Sequence, residues 1–465
     1  MPSGAGRQTQ GKAMESTENT SLIVDLYELT MAAAYFQNRV RSVATFELFV
    51  REMPPERSYL VAAGIESALD YLQSLRFTAD QVEFLRAQPA FRTVQPGFFD
   101  FLEKFRFTGE VHAVPEGTLV FGEEPLLRVT APILEAQIVE TYLLSVIHFE
   151  TLIASKAARV VEAARGRSVL EFGTRRAHGP EAGVRAAKAA FVGGCEATSN
   201  VLAGRLYGIP LAGTAAHSWS MVFPTEREGF ERLLDVFPET AILLVDTYDA
   251  IRGTEVAAAL GRKFKGVRLD SGDLGKMSHQ VRRILDAHGL QETRIVASGD
   301  LDEHKIDALL EQGAAIDIFG VGTQLATSGD VPSLGVVYKL VEIERDGKLE
   351  PRAKFSDQKV SYPGRKQVFR FSRDGRFAED LIACAHEEFP EASPLLQPVM
   401  RDGRRVGLKT DVHENRSRVL AGLSQLPEAC KRLDRPGSYP VRKSPALEKL
   451  LGEVRNHYLG RPVGS

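Results

Sequence analysis

The amino-acid sequence predicts an α/β protein whose central region folds as a parallel sheet, either closed into a barrel or open. Seven short apolar runs occur between residues 168 and 319. Polar, helix-compatible segments such as 225–237 and 276–288 separate most of these runs, and strands that alternate with helices at this spacing form parallel sheets. Polar residues follow nearly every run, where a barrel of this type carries its chemistry. We therefore expect an α/β barrel with its site at one edge.

The predicted strands share an apolar centre and a following turn. They are Ser168–Phe172, Ala190–Gly193, Ile209–Thr214, Ala241–Val245, Lys265–Leu269, Thr293–Ala297 and Ala315–Phe319.

Sequence character divides the chain into four parts. Residues 1–20 are a predicted solvated tail, because they are rich in Gly, Ser, Thr and Gln and nearly lack large apolar side chains. Residues 21–135 form a predicted N-terminal α+β domain. Residues 136–340 form the predicted barrel, which a long apolar helix at 136–164 joins to the first domain. Residues 341–465 form a C-terminal segment that we expect to complete the N-terminal domain, since alone it would lack a core.

Local periodicity predicts the elements outside the barrel. We expect helices at 22–35 and 64–75, strands at 44–51, 110–114, 119–121, 126–129 and 366–370, and a turn at 362–365. We also expect the basic run Arg401–Arg405 to be a solvated surface.

Composition sets broad limits on function. Charged residues make up 26% of the chain, hydrophobic residues 43%, and the net charge is -3, so nothing suggests nucleic acid as a partner. Three cysteines are too few and too scattered for a disulfide framework or a zinc site, which favours a reducing cytoplasm. No apolar run approaches the roughly 20 residues that span a bilayer. No signal-peptide pattern is present at the N-terminus.

The segment Arg268-Leu-Asp-Ser-Gly-Asp273 follows a predicted buried strand and concentrates charge. One guanidinium and two carboxylates can bind an anion together with a hydroxyl-rich or metal-bound group. The alternative is an internal Arg–Asp pair that only orders a loop. Asp246 and Asp249 follow the preceding strand, although aspartates there often cap the next helix.

Thr214 and His217 follow another predicted strand among small residues. A single histidine is more often structural than catalytic. The small neighbours leave this imidazole accessible, however, and carboxylates on the adjacent strand can fix its tautomer. An oriented, accessible imidazole can act as a base or be phosphorylated.

Glycine-rich turns follow the last two predicted strands, at Ser298-Gly299-Asp300 and Phe319-Gly-Val-Gly322-Thr323. Consecutive turns of this kind late in a barrel present backbone N–H groups to a phosphate. Near the first barrel strand, Phe172 can stack on a flat ring and Arg175 suits a diphosphate. The alternative there is a core phenylalanine beside surface arginines.

These motifs together resemble the nicotinate phosphoribosyltransferase family over roughly residues 22–370, in consistent order. The segments that carry the resemblance are Asp25-Leu-Tyr-Glu-Leu-Thr-Met31, Glu171-Phe-Gly-Thr-Arg-Arg-Ala-His178, Phe191-Val-Gly-Gly-Cys-Glu-Ala-Thr-Ser-Asn200, Gly213-Thr-Ala-Ala-His-Ser218, Val267-Arg-Leu-Asp-Ser-Gly-Asp273, Phe319-Gly-Val-Gly-Thr323, Tyr338-Lys-Leu340 and Pro363-Gly-Arg-Lys-Gln367.

The resemblance implies a fold and an activity. The fold is the irregular α/β barrel of type II phosphoribosyltransferases, packed on a separate α+β domain. The activity converts nicotinate, phosphoribosyl pyrophosphate, ATP and water to nicotinate mononucleotide, pyrophosphate, ADP and phosphate, the first step of NAD salvage from nicotinate. Mg²⁺ is the expected cofactor, and the expected assembly is a homodimer with its active sites at the subunit interface.

The resemblance also implies roles for individual residues. It makes His217 the transiently phosphorylated histidine, and it adds Asp246 and Asp270 as catalytic carboxylates. It assigns nicotinate to Arg268, Phe172, Thr214 and, from the neighbouring subunit, Tyr27. It assigns phosphoribosyl pyrophosphate to Arg175, Asp270, Gly299, Gly322, Thr323 and Thr327, and the metal to Asp270 and Asp273.

Three alternatives remain open from the residues. Nicotinamide is the nearest alternative substrate, with Glu196 as the acceptor for its amide, although Thr198 and Ser199 suit a carboxylate better. A lyase or isomerase of the phosphate-binding barrel type would share the glycine turns, but it would need an unpaired Lys or Glu at the barrel centre. A protein that binds the metabolite without catalysis is the third alternative.

Overall fold

The computed structural model describes residues 20–356, 360–407 and 409–460. The predicted tail, residues 1–20, lies outside the described residues except for Thr20, which begins a 3-10 helix. Among the described residues, no helix is both long and apolar enough to cross a membrane.

The first third of the chain alternates short helices with antiparallel strands. Its elements are the 3-10 helix Thr20–Leu22, α1 Leu26–Gln37, β1 Val43–Val50, β2 Leu60–Val61, α2 Ile65–Ser74, α3 Ala79–Arg86, the 3-10 helix Pro89–Phe91, α4 Pro96–Glu103, β3 Glu110–Ala113, β4 Leu119–Val120, β5 Pro125–Pro132, α5 Ile133–Ile138 and α6 Glu140–Ala163.

The middle third alternates parallel strands with helices. Its elements are β6 Ser168–Glu171, the 3-10 helix Thr174–Arg176, α7 Pro180–Val192, β7 Ala197–Thr198, α8 Val201–Tyr207, α9 His217–Val222, α10 Glu226–Val236, β8 Ile242–Leu244, α11 Ala250–Ala258, β9 Gly266–Leu269, α12 Leu274–Ala287, β10 Arg294–Ala297, α13 Glu303–Glu311, β11 Ile318–Val321 and α14 Thr323–Ala326.

The last third returns to antiparallel strands and ends in helices. Its elements are β12 Val336–Arg345, β13 Lys348–Pro351, β14 Lys366–Arg373, β15 Arg376–Cys384, β16 Ser393–Pro394, β17 Gln397–Arg401, β18 Arg404–Arg405, α15 Val412–Gln425, α16 Glu428–Lys431, β19 Val441–Lys443 and α17 Pro445–Leu459.

The parallel strands of the middle third form one six-stranded sheet in the order β7-β6-β11-β10-β9-β8. All of its strand pairs are parallel, and β7 and β8 are its two edges among the described residues. The sheet with its helices is an irregular, open α/β barrel, as the sequence predicts. Because the strands are parallel, the residues that follow β6, β8, β9, β10 and β11 lie at one edge of the sheet.

Two of the seven predicted strands are wrong. Residues Ala190–Gly193 are the end of α7, because the apolar run continues the buried face of a helix that begins at Pro180. A short apolar run does not by itself distinguish a buried helix from a buried strand. Ile209–Thr214 contributes only one isolated bridge, between Thr198 and Leu211. The short strand β7 was not predicted.

Strands from both ends of the chain share a second sheet of seven strands, in the order β13-β12-β1-β5-β3-β17-β18. Strand β1 lies between β5 and β12, and it is antiparallel to both. This sheet therefore pairs residues that are about 300 positions apart, such as Val43 and Glu344.

Helix α6 connects the two sheets. Its first half, including Leu143 and Ile147, packs into the core beneath the seven-stranded sheet. Its second half, including Ile153 and Ala157, packs into a separate core against α7 and the barrel. The helix therefore fixes the barrel against the mixed sheet.

The basic run Arg401–Arg405 is only partly the solvated surface that the sequence predicts. Arg401 and Arg404 are exposed. The Arg405 side chain is largely buried and pairs with Glu66 at 2.7 Å and Asp70 at 2.9 Å on α2. This part of the prediction is wrong because the carboxylates of α2, distant in sequence, provide partners for a guanidinium.

Candidate active site

Arg268 is the centre of the polar edge. It lies on β9, and its side chain is 13% exposed. The guanidinium donates from Nε to Ser298 Oγ at 2.7 Å, from Nη1 to Thr214 Oγ1 at 2.7 Å and from Nη2 to Asp270 Oδ1 at 2.6 Å. These three contacts leave an N–H on each of Nη1 and Nη2 without a partner among the described residues. Arg268 is therefore held rigidly while it keeps donors for a ligand.

Asp270 and Asp246 form a connected pair of carboxylates beside Arg268. The backbone N–H of Asp270 donates to Asp246 Oδ2 at 2.7 Å, and Ser271 Oγ donates to the same oxygen at 3.1 Å. Burial alone would raise the pKa of the Asp270 carboxyl, but hydrogen bonds from Ser298 and Arg268 and the arginine charge hold this pKa below its ordinary value. Asp270 is therefore ionised at neutral pH.

His217 is the first residue of α9, and its imidazole lies near Thr247 and Asp270. Its Nδ1 is 3.3 Å from Thr247 Oγ1, and its Nε2 is 3.8 Å from Asp270 Oδ2. The imidazole is 43% exposed. A histidine with a carboxylate beside one nitrogen and open access is suited to nucleophilic or proton-transfer chemistry.

The ring of Phe172 lies against the backbone of β11. A Cβ added to Gly320 would be 2.7 Å from two ring carbons of Phe172 and 3.5 Å from Ser298 Cβ. The Phe172 ring is thus close to Ser298, which in turn contacts Arg268. An aromatic surface and a guanidinium therefore lie near each other at the same edge of the barrel.

The two glycine turns lie at the ends of β10 and β11. Gly299 has φ +94°, and a Cβ there would collide with the carbonyl oxygen of Asp270, so only glycine fits. Gly322 immediately precedes α14, and Thr327 Oγ1 donates to the Thr323 carbonyl at 2.7 Å. Backbone N–H groups of such turns suit phosphate oxygens.

Glu171 orders the loop that carries Phe172. It is fully buried, accepts a hydrogen bond from Thr198 Oγ1 at 2.6 Å and accepts another from the Gly173 backbone N–H. Burial raises the pKa of this carboxyl. Because both of its carboxylate oxygens have partners, Glu171 is not the unpaired glutamate that a lyase or isomerase would require.

Three predicted residues lie outside both the contacts around Arg268 and the two glycine turns. Arg175 is exposed in the 3-10 helix after β6. Asp273 accepts from the Lys276 backbone N–H at 3.1 Å, caps α12 and pairs with Lys276 Nζ at 2.8 Å. Tyr27 is partly exposed on α1, and burial and the nearby Glu140 raise its pKa.

The side chains of two residues in the cluster had no predicted role. Ser298 was predicted as part of a phosphate turn because of its neighbour Gly299, and Thr247 was not considered. Neither is marked by local sequence, since each acts through a contact with a residue about 30 positions away. The position of Ser298 directly after a strand is the one signal that could have indicated it.

A cavity of about 460 Å³ lies elsewhere in the molecule, between α2, α6, α7 and the start of α15. Its lining includes Glu150 and Lys188, which form a buried ion pair at 2.8 Å. It contains none of the residues around Arg268. The predicted residues around Arg268 therefore lie in the strand-end cluster and not in this cavity.

Three family models match the chain in sequence. The nicotinate phosphoribosyltransferase N-terminal domain matches residues 22–148, the nicotinate phosphoribosyltransferase family model matches 168–368, and the C-terminal domain matches 388–451. The last match covers a region in which the sequence itself shows no recognisable motif.

Curated proteins and solved structures give the same result. Nicotinate phosphoribosyltransferase pncB2 of Mycobacterium tuberculosis is 45% identical over 442 residues, covering 93% of each chain. Nicotinate phosphoribosyltransferase of Bacillus subtilis is 38% identical and covers 91% of this chain and 93% of its own. The crystal structure of human nicotinic acid phosphoribosyltransferase superposes with a TM-score of 0.81 at 29% identity, covering 92% of this chain and 99% of the human one.

Proposed function

The chain belongs to the nicotinate phosphoribosyltransferase family, and we propose that it joins nicotinate to the ribose 5-phosphate of phosphoribosyl pyrophosphate, with ATP hydrolysed alongside. The N1 nitrogen of nicotinate forms a bond to ribose C1 as the bond from C1 to pyrophosphate breaks. The observation that carries this proposal is the environment of Arg268. Three hydrogen bonds hold its guanidinium, two N–H groups remain for a ligand, and the ring of Phe172 lies nearby.

The hydrogen-bond directions around Arg268 favour an acid over an amide. Thr214 donates its hydroxyl proton to the Ala215 carbonyl at 3.1 Å, and Ser298 donates its own to Asp270 at 2.6 Å. Both hydroxyls therefore accept from Arg268. The remaining arginine N–H groups are donors with positive charge, which suit the carboxylate of nicotinate. The carboxamide of nicotinamide accepts from one of these donors through its carbonyl oxygen, but its NH₂ then faces the other donor.

The transfer step requires charge stabilisation rather than a strong base. An oxocarbenium-like ribose and an anionic pyrophosphate develop together, so preorganised positive groups and alignment lower the barrier. In this proposal the turns at Gly299, Gly322 and Thr323 hold the 5-phosphate with Thr327, and Arg175 holds the pyrophosphate. Asp270 orients the ribose hydroxyls.

His217 is the residue through which ATP hydrolysis is coupled. The Asp270 carboxylate near Nε2 favours the tautomer protonated there, which leaves the Nδ1 lone pair as the nucleophile. A bond forms between this nitrogen and the γ-phosphorus of ATP, ADP leaves, and water later releases phosphate. The phosphorylated histidine adds negative charge beside the carboxylates, which changes the affinity for substrates and products.

Mg²⁺ fits the carboxylates that face the site. Asp246 Oδ1 is buried and has no hydrogen-bond partner among the described residues. No group of three or more His, Cys, Asp or Glu in the described chain has metal-ligand geometry, but Mg²⁺ is commonly bound by one or two carboxylates and substrate phosphates. We propose Asp270 and Asp246; Asp273 would first have to release Lys276. The ion neutralises diphosphate charge when bound.

A homodimer would bring Tyr27 to the nicotinate site of the other subunit. Among the described residues, exposed apolar side chains occur in two places that such a dimer could use. One lies on α1, with Leu26, Tyr27 and Met31, and the other lies around the barrel edge, with Val201, Leu202, Leu211, Met221, Val222 and Tyr248. Exposed apolar surfaces of this kind mark contacts between proteins, and head-to-tail pairing would cover both.

The proposal is tested by supplying the purified protein with phosphoribosyl pyrophosphate and either nicotinate or nicotinamide, with and without ATP. We expect nicotinate mononucleotide and pyrophosphate as products, with faster formation when ATP is present. We expect little conversion of nicotinamide.

The coupling is tested separately with His217→Asn, which keeps a polar side chain and cannot be phosphorylated. We expect slow transfer that no longer responds to ATP and no ADP release. ADP release that still accompanies transfer in this variant would contradict the role of His217. Absence of any nucleotide product from the unmodified protein would contradict the proposed function itself.

A further inference from the structure

Ser298 joins the two charged side chains at the centre of the site. Its hydroxyl oxygen accepts from Arg268 Nε at 2.7 Å, and its proton goes to Asp270 Oδ1 at 2.6 Å. Arg268 Nη2 also donates to this same Asp270 oxygen at 2.6 Å. The three groups form a closed ring of hydrogen bonds. Ser298 is itself only 3% exposed.

The ring of hydrogen bonds fixes the direction of the guanidinium. With Nε held by Ser298 and Nη2 held by Asp270, rotation about the end of the arginine side chain would break two short bonds together. Thr214 holds Nη1 from the other side at 2.7 Å. Among the described residues, Ser298 is the side chain that contacts both the guanidinium and the carboxylate, so its loss removes one of three hydrogen bonds from Arg268 and one of the two that Asp270 Oδ1 accepts from side chains.

Ser298 also lies beside the residue that positions the aromatic ring. Strands β10 and β11 are paired with Ala297 opposite Phe319, so Ser298 and Gly320 continue the register on the neighbouring strands. The Phe172 ring lies against Gly320. Ser298 and Gly320, which are neighbours on adjacent strands, therefore position the guanidinium and the aromatic ring.

We propose that Ser298 is a positioning residue that sets the preference for a pyridine carboxylate over the carboxamide, by holding the free N–H groups of Arg268 toward the substrate. The inference rests on the proposed function and deepens it. Ser298 does not touch the substrate; it acts through Arg268. Without the serine, the guanidinium keeps its charge and its bonds to Thr214 and Asp270 but loses the bond at Nε. Its direction is then less tightly fixed, so an amide and a carboxylate are less well distinguished.

The test is Ser298→Ala, assayed by the ratio of kcat/KM for nicotinate to that for nicotinamide, each at saturating phosphoribosyl pyrophosphate. Effects on phosphoribosyl pyrophosphate and on the transfer step are common to both substrates and cancel in the ratio. We expect this ratio to fall about tenfold or more, as for loss of a hydrogen bond to a charged group. Calorimetric titration with nicotinate should show weaker binding by a similar factor.

Ser278→Ala is the matched control. Ser278 is a fully buried serine on α12 whose hydroxyl donates to the Gly275 carbonyl at 2.8 Å, so its removal has a comparable structural effect away from Arg268. We expect the control to keep the ratio of the unmodified protein, even if both variants unfold at lower temperature.

The outcomes separate this inference from the proposed function. If the unmodified protein converts nicotinate and Ser298→Ala retains the same ratio, the positioning role is wrong and the proposed function stands. If both serine variants lower the ratio equally, the effect is general destabilisation and the positioning role is also wrong. If the unmodified protein converts neither pyridine, the proposed function fails first.

Discussion

Gly320→Ala should displace the aromatic surface of the site without changing any charged group. The added Cβ would be 2.7 Å from two carbons of the Phe172 ring, well inside van der Waals contact. Because Gly320 lies within β11 and is buried, the backbone cannot move aside freely, and the ring must rotate or shift. We expect an overpacking cost of about 1–3 kcal/mol.

That cost lowers the stability of the folded protein. If Phe172 stacks on the pyridine ring, the displaced ring also loses an aromatic contact of about 0.5–1.5 kcal/mol. At about 1.4 kcal/mol per factor of ten, kcat/KM for nicotinate would fall roughly 2- to 12-fold. The KM for phosphoribosyl pyrophosphate should change much less, since the close contacts at 2.7 Å are with Phe172 and the added methyl group meets Ser298 Cβ only at an ordinary van der Waals distance of 3.5 Å. Steady-state kinetics with each substrate varied in turn measures both quantities.

Gly335→Ala provides a control, because a Cβ at Gly335 has no heavy atom within 4 Å. We expect nearly unchanged kinetics from it. If Gly320→Ala binds and converts nicotinate as well as the control does, the ring of Phe172 does not form the pyridine site, and the reasoning is refuted.

Two further predictions concern charge. Arg268→Gln should lower kcat/KM for nicotinate roughly 10- to 150-fold, for a lost charged hydrogen bond of about 1.5–3 kcal/mol, and should lower that for nicotinamide less; equal losses for both substrates would contradict its role as the carboxylate reader. Glu124→Gln should be tolerated, because burial and the Asp380 charge raise the pKa of this carboxyl and Arg370 is already paired with Asp380. Protonated Glu124 contributes stability at pH values below 4.5, the ordinary pKa that applies in the unfolded chain. This stability is lost as pH rises through the higher pKa of the folded protein. The melting temperature of Glu124→Gln should therefore increase relative to that of the unmodified protein as pH rises above 4.5. A relative increase on acidification would contradict this assignment.

The charged part of the site was predictable because its residues are close in sequence. Arg268 and Asp270 are two positions apart after a buried strand, and the structure joins them at 2.6 Å. Thr214 was also predicted at the site and contacts Arg268 directly, although the strand predicted before it, Ile209–Thr214, forms only one isolated bridge. The prediction for Arg268 and Asp270 succeeded because parallel strands place their carboxyl ends at one edge of the sheet. A motif that directly follows such a strand therefore lies at that edge.

The parts that were not predictable depend on contacts between distant segments. Ser298 is 30 residues from Arg268, and its importance comes only from the pairing of β10 with β9. Arg405 finds its carboxylate partner 339 residues away on α2. Hydrophobic pattern also failed at Ala190–Gly193, where a helix buried on most sides has no polar face to reveal its period.

The most direct test of the account is a crystal structure of the protein with nicotinate mononucleotide bound. The account predicts that the pyridine carboxylate lies within about 2.7–2.9 Å of the Arg268 guanidinium, at charge-assisted hydrogen-bond distance, with the ring against Phe172. A carboxylate bound by other residues, with Arg268 still occupied only by Asp270, Ser298 and Thr214, would contradict it.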